Sequence, residues 1–226
     1  MDVGINKLVL LIGIVHWRRR IGRGVSAVLE GMKVVGLDLE TTGFDSRSER
    51  IVEYALVGSD SDGSHIRLCS LVDPERRIPS DSTAIHGITN EDVRGAGTFS
   101  EHMDKFSEIM EGSIVVGHNV MGFDWGFVHM EYLRAGSETP KVRGFIDTLK
   151  LARKLRIPGR HRLGDLCDRY SIDLERAHRA DADASASLIL LWKFMKEYPE
   201  SFRVPLEDIL ETLDQGFIDW RPREYF

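Results

Sequence analysis

Alternating apolar and polar residues predict three strands in the first third of the chain. Residues 33–40 form the first, because the side chains of a strand alternate between its two faces and the apolar residues here fall at every second position. Asp38 and Glu40 share the face opposite to the apolar one. Residues 50–59 and 64–72 form two further strands, and the turn-rich residues between them predict a hairpin.

Spacings of three and four residues between apolar positions predict helices in the remainder of the chain. These helices span residues 99–111, 122–135, 148–156, 163–170, 180–198 and 205–213. Residues 113–117 form a short apolar strand, and residues 74–97 form a mixed loop with short helical turns. The order of the elements predicts an α/β fold with a mixed sheet, antiparallel at first and flanked by helices.

The length of 226 residues predicts one domain, or one domain with terminal extensions. We place the domain at residues 32–198, an N-terminal extension at residues 1–31 and a C-terminal tail with one short helix at residues 199–226. The N-terminal stretch holds eight apolar residues at positions 8–15, followed by basic residues. A helix that spans a bilayer needs about 20 apolar residues, so no membrane partner is expected. A basic arm, a docking segment and an extension outside the folded domain all fit this stretch.

The composition is ordinary for a globular protein, with 42% hydrophobic and 29% charged residues. Cys69 and Cys167 lie far apart without a CxxC spacing. This predicts two interior thiols rather than a zinc site or a disulfide framework, and it favours a reducing, cytoplasmic location. The net charge of −6 argues at first sight against a nucleic-acid partner. A protein that binds divalent cations concentrates carboxylates at the site, however, so the distribution of charge matters more than its sum.

Basic residues are concentrated at positions 141–162. This segment contains Lys141, Arg143, Lys150, Arg153, Lys154, Arg156, Arg160 and Arg162, with Asp147 as the one acid. Such a concentration of positive charge predicts a surface that faces phosphate groups. The alternative is the solvated face of a helix.

Asp38 and Glu40 form the first candidate site. Two acids two positions apart on a strand point the same way, and here they interrupt an otherwise buried segment. Burying like charges is costly unless a cation neutralises them, and hard carboxylate oxygens favour magnesium or manganese over zinc. An exposed strand face with incidental acids is the alternative, so this pair alone is a weak indication.

Asp124, His178 and Asp183 are the remaining candidates. Asp124 follows a strand and opens a helix, where it could ligate a metal or cap the helix. His178 and Asp183 are five residues apart, about 140° around an ideal helix, so we place His178 on the entering loop and Asp183 inside the helix. A solvated histidine beside a helix N-terminus is the alternative for His178. Asp181 is interpreted as exposed or capping.

These acids and the histidine follow one another in an order that closely resembles the DEDDh branch of the DnaQ-like exonuclease superfamily, in particular the DNA polymerase III proofreading exonucleases of the epsilon and PolC types. The three motifs are D-L-E-T-T-G at residues 38–43, G-H-N-V-M-G-F-D at 117–124 and A-H-R-A-D-A-D-A at 177–184. Three supporting segments are A-I-H-G-I-T at residues 84–89, I-D-T-L at 146–149 and H-R-L-G-D-L at 161–166. The resemblance covers residues 33–196 and departs from the family pattern at no catalytic position.

The resemblance implies a fold and a mechanism. The fold is RNase H-like, with a mixed five-stranded sheet. Two magnesium ions, replaceable by manganese, would be held by Asp38, Glu40, Asp124 and Asp183, with Asp38 as the bridging ligand. His178 would act as the general base towards a metal-bound water, and the product would be a nucleoside 5′-monophosphate.

The resemblance also implies residues that contact the terminal nucleotide. Ile85 and His86 are the candidates for the last base and sugar, and Thr41 is the candidate for a hydrogen bond to the terminal sugar. Phe123 is a candidate for an apolar or stacking contact, although core packing is the favoured alternative. His86 also has an ordinary interpretation as a loop histidine bonded to backbone.

The expected function is a metal-dependent 3′–5′ exonuclease acting on single-stranded or frayed DNA in proofreading or repair. Trimming of RNA 3′ ends is the alternative within this class. A non-catalytic nucleic-acid-binding module is a second class of function, which the complete set of acids disfavours. A third is a subunit associated with a DNA polymerase, docked through residues 1–31 or through the acidic residues 207–219.

Overall fold

The computed structural model describes residues 26–174 and 178–214. Its strands are Val34–Thr41 (β1), Ile51–Ser59 (β2), His65–Leu71 (β3), Ile114–Gly117 (β4) and Gly144–Asp147 (β5). They form one sheet in the order β3-β2-β1-β4-β5. β1 is antiparallel to β2, β2 is antiparallel to β3, and the pairs β1–β4 and β4–β5 are parallel. The predicted mixed sheet is therefore confirmed. β5 was not predicted, because Gly144–Asp147 has only two apolar residues, whereas the equally short β4 contains three consecutive apolar residues.

The described residues contain seven α-helices. They are Ser80–His86 (α1), Phe99–Met110 (α2), Asp124–Arg134 (α3), Thr148–Lys154 (α4), Leu163–Tyr170 (α5), Ala180–Glu197 (α6) and Leu206–Asp214 (α7). The six helices predicted from apolar spacing are confirmed to within two residues at each end. α4 ends earlier than predicted, and Arg156 shortly after it has a φ of 54°. A left-handed residue cannot continue a right-handed helix.

The two faces of the sheet carry separate cores. On one face, Val35, Leu37 and Leu39 of β1 pack against buried aromatic residues of α2 and α3, including Phe106 and Phe127. On the other face, β4 and β5 are covered by α5, α6 and α7. The alternation predicted for β1 therefore holds, and its polar face is turned towards α6.

Residues at both margins of the predicted domain pack into the second of these cores. Leu29 lies before residue 32, and Phe202, Leu206 and Ile209 follow residue 198, yet all four are buried there. The short helix predicted at residues 205–213 is α7. The remainder of the predicted extension, residues 1–25, and residues 215–226 of the predicted tail lie outside the described residues. Among the described residues, no helix is long and apolar enough to cross a bilayer.

The two cysteines differ in their surroundings. Cys167 is buried in α5, as predicted, whereas Cys69 is exposed, so the prediction of an interior thiol is wrong for Cys69. Cys69 lies on β3, an edge strand on which exposed residues alternate with half-buried ones. An apolar-rich strand sequence does not reveal that one of its faces meets solvent.

Candidate active site

The polar face of β1 presents the first two acids of the candidate site. Asp38 is half-buried and Glu40 is buried, and both lie on the face turned towards α6. The strand face that carries these two acids is therefore not an exposed one. These carboxylates are withdrawn from water, which normally requires a compensating charge.

α6 delivers the third acid. It lies over β1 and β2, and its N-terminal turns approach the sheet through the small residues Ala180 and Ala184, which pack against Ala55 and Val57. Asp183 lies in the first turn of α6. Each of Asp38, Glu40 and Asp183 has a carboxylate oxygen within 4.8 Å of the others. We call these three residues the carboxylate cluster.

Asp124 lies beside the carboxylate cluster. It is the first residue of α3, it is buried, and its Oδ1 accepts a hydrogen bond of 3.1 Å from the backbone N–H of Leu39. Leu39 is the residue between the two acids of β1. This hydrogen bond connects α3 to β1 at the site. A residue that served only as a helix cap would not need it.

His178 lies where the sequence placed it, on the segment that enters α6. It is exposed, and its backbone N–H donates to Asp183 Oδ2 over 3.2 Å. Its φ of 63° is left-handed, which is uncommon for a residue with a side chain. Asp181 is 15% exposed and pairs with Arg67 of β3 at 2.8 Å, so the interpretation of Asp181 as exposed is wrong.

Burial raises the pKa of every acid at the site. The pKa of Glu40 rises to about 8, first because of burial and then because of the charges of Asp183 and Glu53. Burial is also the leading cause of the raised pKa values of Asp38, Asp124 and Asp183. A divalent cation would reverse this effect, because it favours the ionised form.

The donor set fits a hard divalent cation. All the candidate ligands are carboxylates, which suit magnesium or manganese. Asp183 Oδ1 is buried and has no hydrogen-bond partner within residues 26–174 and 178–214. A buried oxygen with an unused lone pair is costly, and coordination of a cation would remove that cost.

The residues predicted to contact substrate have different surroundings. Ile85 is 48% exposed, whereas His86 is buried and its Nδ1 accepts a hydrogen bond from the Ile88 N–H at 3.0 Å. Burial lowers the pKa of His86. The Thr41 hydroxyl donates to the Gly43 carbonyl oxygen at 2.6 Å. The roles given to these residues stay predictions.

Phe123 has both a core contact and an exposed neighbour. Its ring lies 5.0 Å from that of Phe127 and 6.4 Å from that of Phe44, measured between centroids. Phe44 is 81% exposed, and the sequence reasoning missed it. The available signal was an aromatic residue directly after the glycine of the first motif.

An ion pair that was not predicted from the sequence lies beside the carboxylate cluster. Glu53 of β2 is directly opposite Glu40 in the strand register and is buried. It accepts hydrogen bonds from the Arg179 guanidinium at 2.6 and 3.1 Å. The available signals were an acid inside the apolar run of β2 and an arginine inside the third motif.

The segment that precedes Asp124 is held by buried polar contacts. The Asp147 carboxylate accepts hydrogen bonds from the backbone N–H groups of Asn119 at 3.0 Å and Leu149 at 3.0 Å. His118 has its Nδ1 2.9 Å from Thr148 Oγ1 and its Nε2 2.8 Å from the carbonyl oxygen of His161. The second motif, the start of α4 and the loop before α5 are thereby joined.

A mixed five-stranded sheet flanked by helices, with acids from β1, α3 and α6 gathered beside its central strand, defines a nuclease of the RNase H-like type. The family model described as an exonuclease, RNase_T, matches residues 35–191. The chain therefore belongs to this exonuclease family and is DnaQ-like.

Individual relatives agree with this membership. A DNA polymerase III PolC-type from Latilactobacillus sakei subsp. sakei is 37% identical over 176 residues, which cover 77% of this chain. The chain spans only 12–14% of the length of such relatives. Exonuclease X in complex with 5′ overhanging duplex DNA matches at a TM-score of 0.60 and 25% identity, over 78% of this chain and 97% of that one.

A further structure agrees in fold. E. coli exonuclease I in complex with a dT13 oligonucleotide matches at a TM-score of 0.64 and 19% identity, over 75% of this chain and 42% of that one. At this identity the match concerns the architecture alone. It supports the assignment of the sheet and its flanking helices to the RNase H-like type.

Proposed function

We propose that the protein is a magnesium-dependent 3′–5′ exonuclease that removes nucleoside 5′-monophosphates from single-stranded or frayed DNA. The observation that carries the proposal is the convergence of Asp38, Glu40 and Asp183 within 4.8 Å, with Asp124 bonded to the backbone between the two acids of β1. These are the four acids that the resemblance implied, brought together from three separate elements.

Asp38, Glu40, Asp124 and Asp183 would hold the metal ions, with manganese able to replace magnesium. Bound ions would supply positive charge for the developing oxyanions and lower the pKa of a bound water. The chain contributes the ligands, of which Glu40 and Asp124 are buried and Asp38 and Asp183 are half-buried. Without a cation, the closely placed carboxylates repel one another. Binding of a cation would remove this electrostatic repulsion.

His178 is the proposed general base. Its side chain is exposed and lies five residues before Asp183 in the chain, and histidine is the most frequent general base in enzymes. The side chain would accept the proton of the attacking water at a ring nitrogen. The hydrogen bond from its backbone N–H to Asp183 Oδ2 fixes the backbone from which the side chain projects.

The terminal nucleotide is proposed to contact Thr41, Ile85, His86 and Phe123. Ile85 has an exposed apolar side chain that can cover a base. His86 is buried beside the first motif, where its ring interacts with the backbone of Thr41, so the two residues would contact the same part of the nucleotide. Phe44 extends the aromatic surface of Phe123 towards solvent, and exposed rings suit stacked bases.

Two observations support DNA as the substrate. The relatives include DNA polymerase III PolC-type proteins, and exonuclease X is recorded with duplex DNA. RNA 3′-end trimming remains the second candidate, because the same site chemistry acts on both polymers. The PolC-type relatives also favour association with a DNA polymerase, which co-purification with a purified polymerase would test.

The basic segment at residues 141–162 is the proposed track for the phosphate backbone. Arg153, Lys154, Arg160 and Arg162 are exposed. The carbonyl oxygen of His161, between two of them, is bonded to His118 of the second motif. The basic loop and the loop that leads to Asp124 are therefore mechanically joined.

The test uses the full-length chain with single-stranded DNA and RNA of the same sequence, labelled at either end, with magnesium or with EDTA. We expect magnesium-dependent release of labelled mononucleotide from the 3′ end and a ladder of shortened products from the 5′-labelled strand. Asp183→Asn is the matched inactive control. Release of the 5′ label as mononucleotide, or equal activity in EDTA, would overturn the proposal, whereas binding without cleavage would identify a non-catalytic module.

A further inference from the structure

Glu53 makes an unusual set of contacts for a residue in the middle of a sheet. Its side chain is only 8% exposed. It accepts hydrogen bonds from Arg179 Nη2 at 2.6 Å, from Arg179 Nε at 3.1 Å and from the backbone N–H of Ala180 at 3.0 Å. The three donor groups belong to Arg179 and Ala180, where α6 begins, 126 and 127 residues further along the chain.

Glu53 performs the role of a helix cap from a different element. Arg179 occupies the N-cap position of α6, and its own side chain makes no capping hydrogen bond. The first N–H groups of a helix lack partners within the helix, and a negative charge beside them is favourable. Glu53 supplies both the acceptor and the charge, so β2 determines where α6 starts.

The residues held in this way include the candidate base and a member of the carboxylate cluster. Two hydrogen bonds fix the segment from His178 to Asp183. One joins the Ala180 N–H to Glu53 of β2, and the other lies within the segment, from the His178 N–H to Asp183 Oδ2. His178 keeps a left-handed backbone with a φ of 63°. A non-glycine residue holds this conformation only when its surroundings enforce it.

The charges of the pair also reach the carboxylate cluster. The negative charge of Glu53 contributes to the raised pKa values of Asp38 and Glu40, whereas the positive charge of Arg179 acts in the opposite direction on Glu40. Together the two side chains add no net charge beside the cluster. Removal of Arg179 leaves the buried charge of Glu53 uncompensated where screening is poor. Removal of Glu53 leaves the charge of Arg179, whose side chain is 42% exposed and therefore partly screened by solvent.

We propose that Glu53 and Arg179 form a positioning pair, which sets the first turn of α6, and with it His178 and Asp183, against β1 while keeping the local charge balanced. Neither residue is proposed to touch substrate. The proposal rests on the proposed function for its kinetic consequences, but its consequence for cation binding can be measured on the protein without substrate.

The test compares Glu53→Gln, Arg179→Gln and the double variant. Binding of manganese alone is measured by calorimetry in the absence of nucleic acid. Glu53→Gln leaves an uncompensated cation, so we expect weaker manganese binding, on the order of tenfold. Arg179→Gln leaves an uncompensated anion and should tighten binding by a similar factor, and the double variant should return close to the wild-type affinity.

Kinetics separate the positioning role from the charge. All three variants should lower kcat at saturating metal, because each loses the contact that fixes the start of α6, while KM changes less. Arg179→Lys keeps the charge but loses the two-point guanidinium contact, so it should retain wild-type manganese affinity and still lower kcat.

Arg94→Gln is the matched control. Arg94 forms a surface ion pair with Glu91 at 2.7 Å, and its side chain is 74% exposed. It should leave kcat and manganese affinity unchanged. Unfolding curves confirm that each variant is folded before it is assayed.

Shifts of manganese affinity in the same direction in both single variants would overturn the proposal, and so would an unchanged kcat. If the wild-type chain has no nuclease activity, the proposed function fails, yet opposite shifts in manganese affinity would still support the pair as the electrostatic and positioning element of the cluster.

Discussion

Gly36 of β1 and Ala184 of α6 stand so close that a Cβ on Gly36 would lie 2.9 Å from the carbonyl oxygen of Ala184. Leu188, one turn further along α6, would meet the same Cβ at 3.0 Å. Because Gly36 has no side chain, the backbone of α6 can lie close to the backbone of β1. Because Asp183 precedes Ala184, this close approach brings the third carboxylate to Asp38.

Gly36→Ala is therefore expected to damage both stability and cation binding. Its Cβ must push α6 outward, and such overpacking costs about 1–3 kcal/mol. The same movement withdraws Asp183 from Asp38 and should weaken manganese binding. Chemical denaturation and calorimetry measure the two effects.

Gly164→Ala is the matched control for this prediction. Gly164 lies in the first turn of α5, and a Cβ there would meet nothing within 4 Å. This variant should be neutral or slightly stabilising, because alanine favours the helix over glycine. Equal effects of the two substitutions would contradict the steric account.

Much of this arrangement could be predicted from the sequence. The alternation in β1 separated the apolar face from Asp38 and Glu40, and the spacing of apolar residues located α6. Both patterns are local in sequence, so they can be recognised without the structure. The Glu53–Arg179 pair could not be predicted in the same way. Its partners are 126 residues apart, and an acid within an apolar run reveals a buried charge without revealing what neutralises it.

The stability of the metal-free protein should fall as pH rises from about 5 to about 8. The folded state raises the pKa of Glu40 from its ordinary value of 4.5 to about 8. Between these values the folded state binds more protons than the unfolded state, so the free energy of unfolding decreases with rising pH. Urea denaturation in EDTA across this range measures the slope.

Glu40→Gln should make this slope shallower, because the substituted side chain does not titrate. Glu91→Gln serves as the control, since Glu91 is 70% exposed at the surface, and it should follow the wild-type curve. Magnesium should restore more stability at about pH 8 than at about pH 5, because cation binding competes with protons. A wild-type slope in Glu40→Gln would show that other groups cause the dependence.

Arg50→Met is expected to destabilise the fold by about 3 kcal/mol, because it leaves the Glu131 carboxylate buried without its main partner. Arg50 Nε and Nη2 contact Glu131 at 2.8 and 3.0 Å, and Glu131 is 3% exposed. Arg134 also contacts Glu131, at 3.2 Å, so some compensation remains.

The control for the Arg50 substitution is Arg94→Met. Arg94 pairs with Glu91 at the surface, where both side chains are at least 70% exposed. An exposed pair contributes about 0–1 kcal/mol. The unfolding free energies of the two variants should therefore differ clearly, and a loss below about 1 kcal/mol in Arg50→Met would contradict a structural role for the buried pair.

His178→Ala should lower kcat by about 10²–10⁴, because it removes the proposed general base. Metal affinity should change little, since His178 is not among the proposed ligands. The loss should appear in kcat at saturating metal and DNA, and an unchanged kcat would exclude His178 as the base.

The salt dependence of KM tests the basic track. Arg160→Gln combined with Arg162→Gln should raise KM for single-stranded DNA at low salt and reduce the slope of log KM against log salt by about 1–2, because each neutralised phosphate contact releases roughly one counterion. kcat should stay unchanged, since neither residue belongs to the carboxylate cluster.

Lys105→Gln is the control for the basic track. Lys105 is an exposed cation of α2 that is already paired with Glu108 at 2.8 Å, so its substitution should leave the slope of log KM against log salt unchanged. Equal slopes in the double variant and the wild type would mean that the loop before α5 carries only solvated charge.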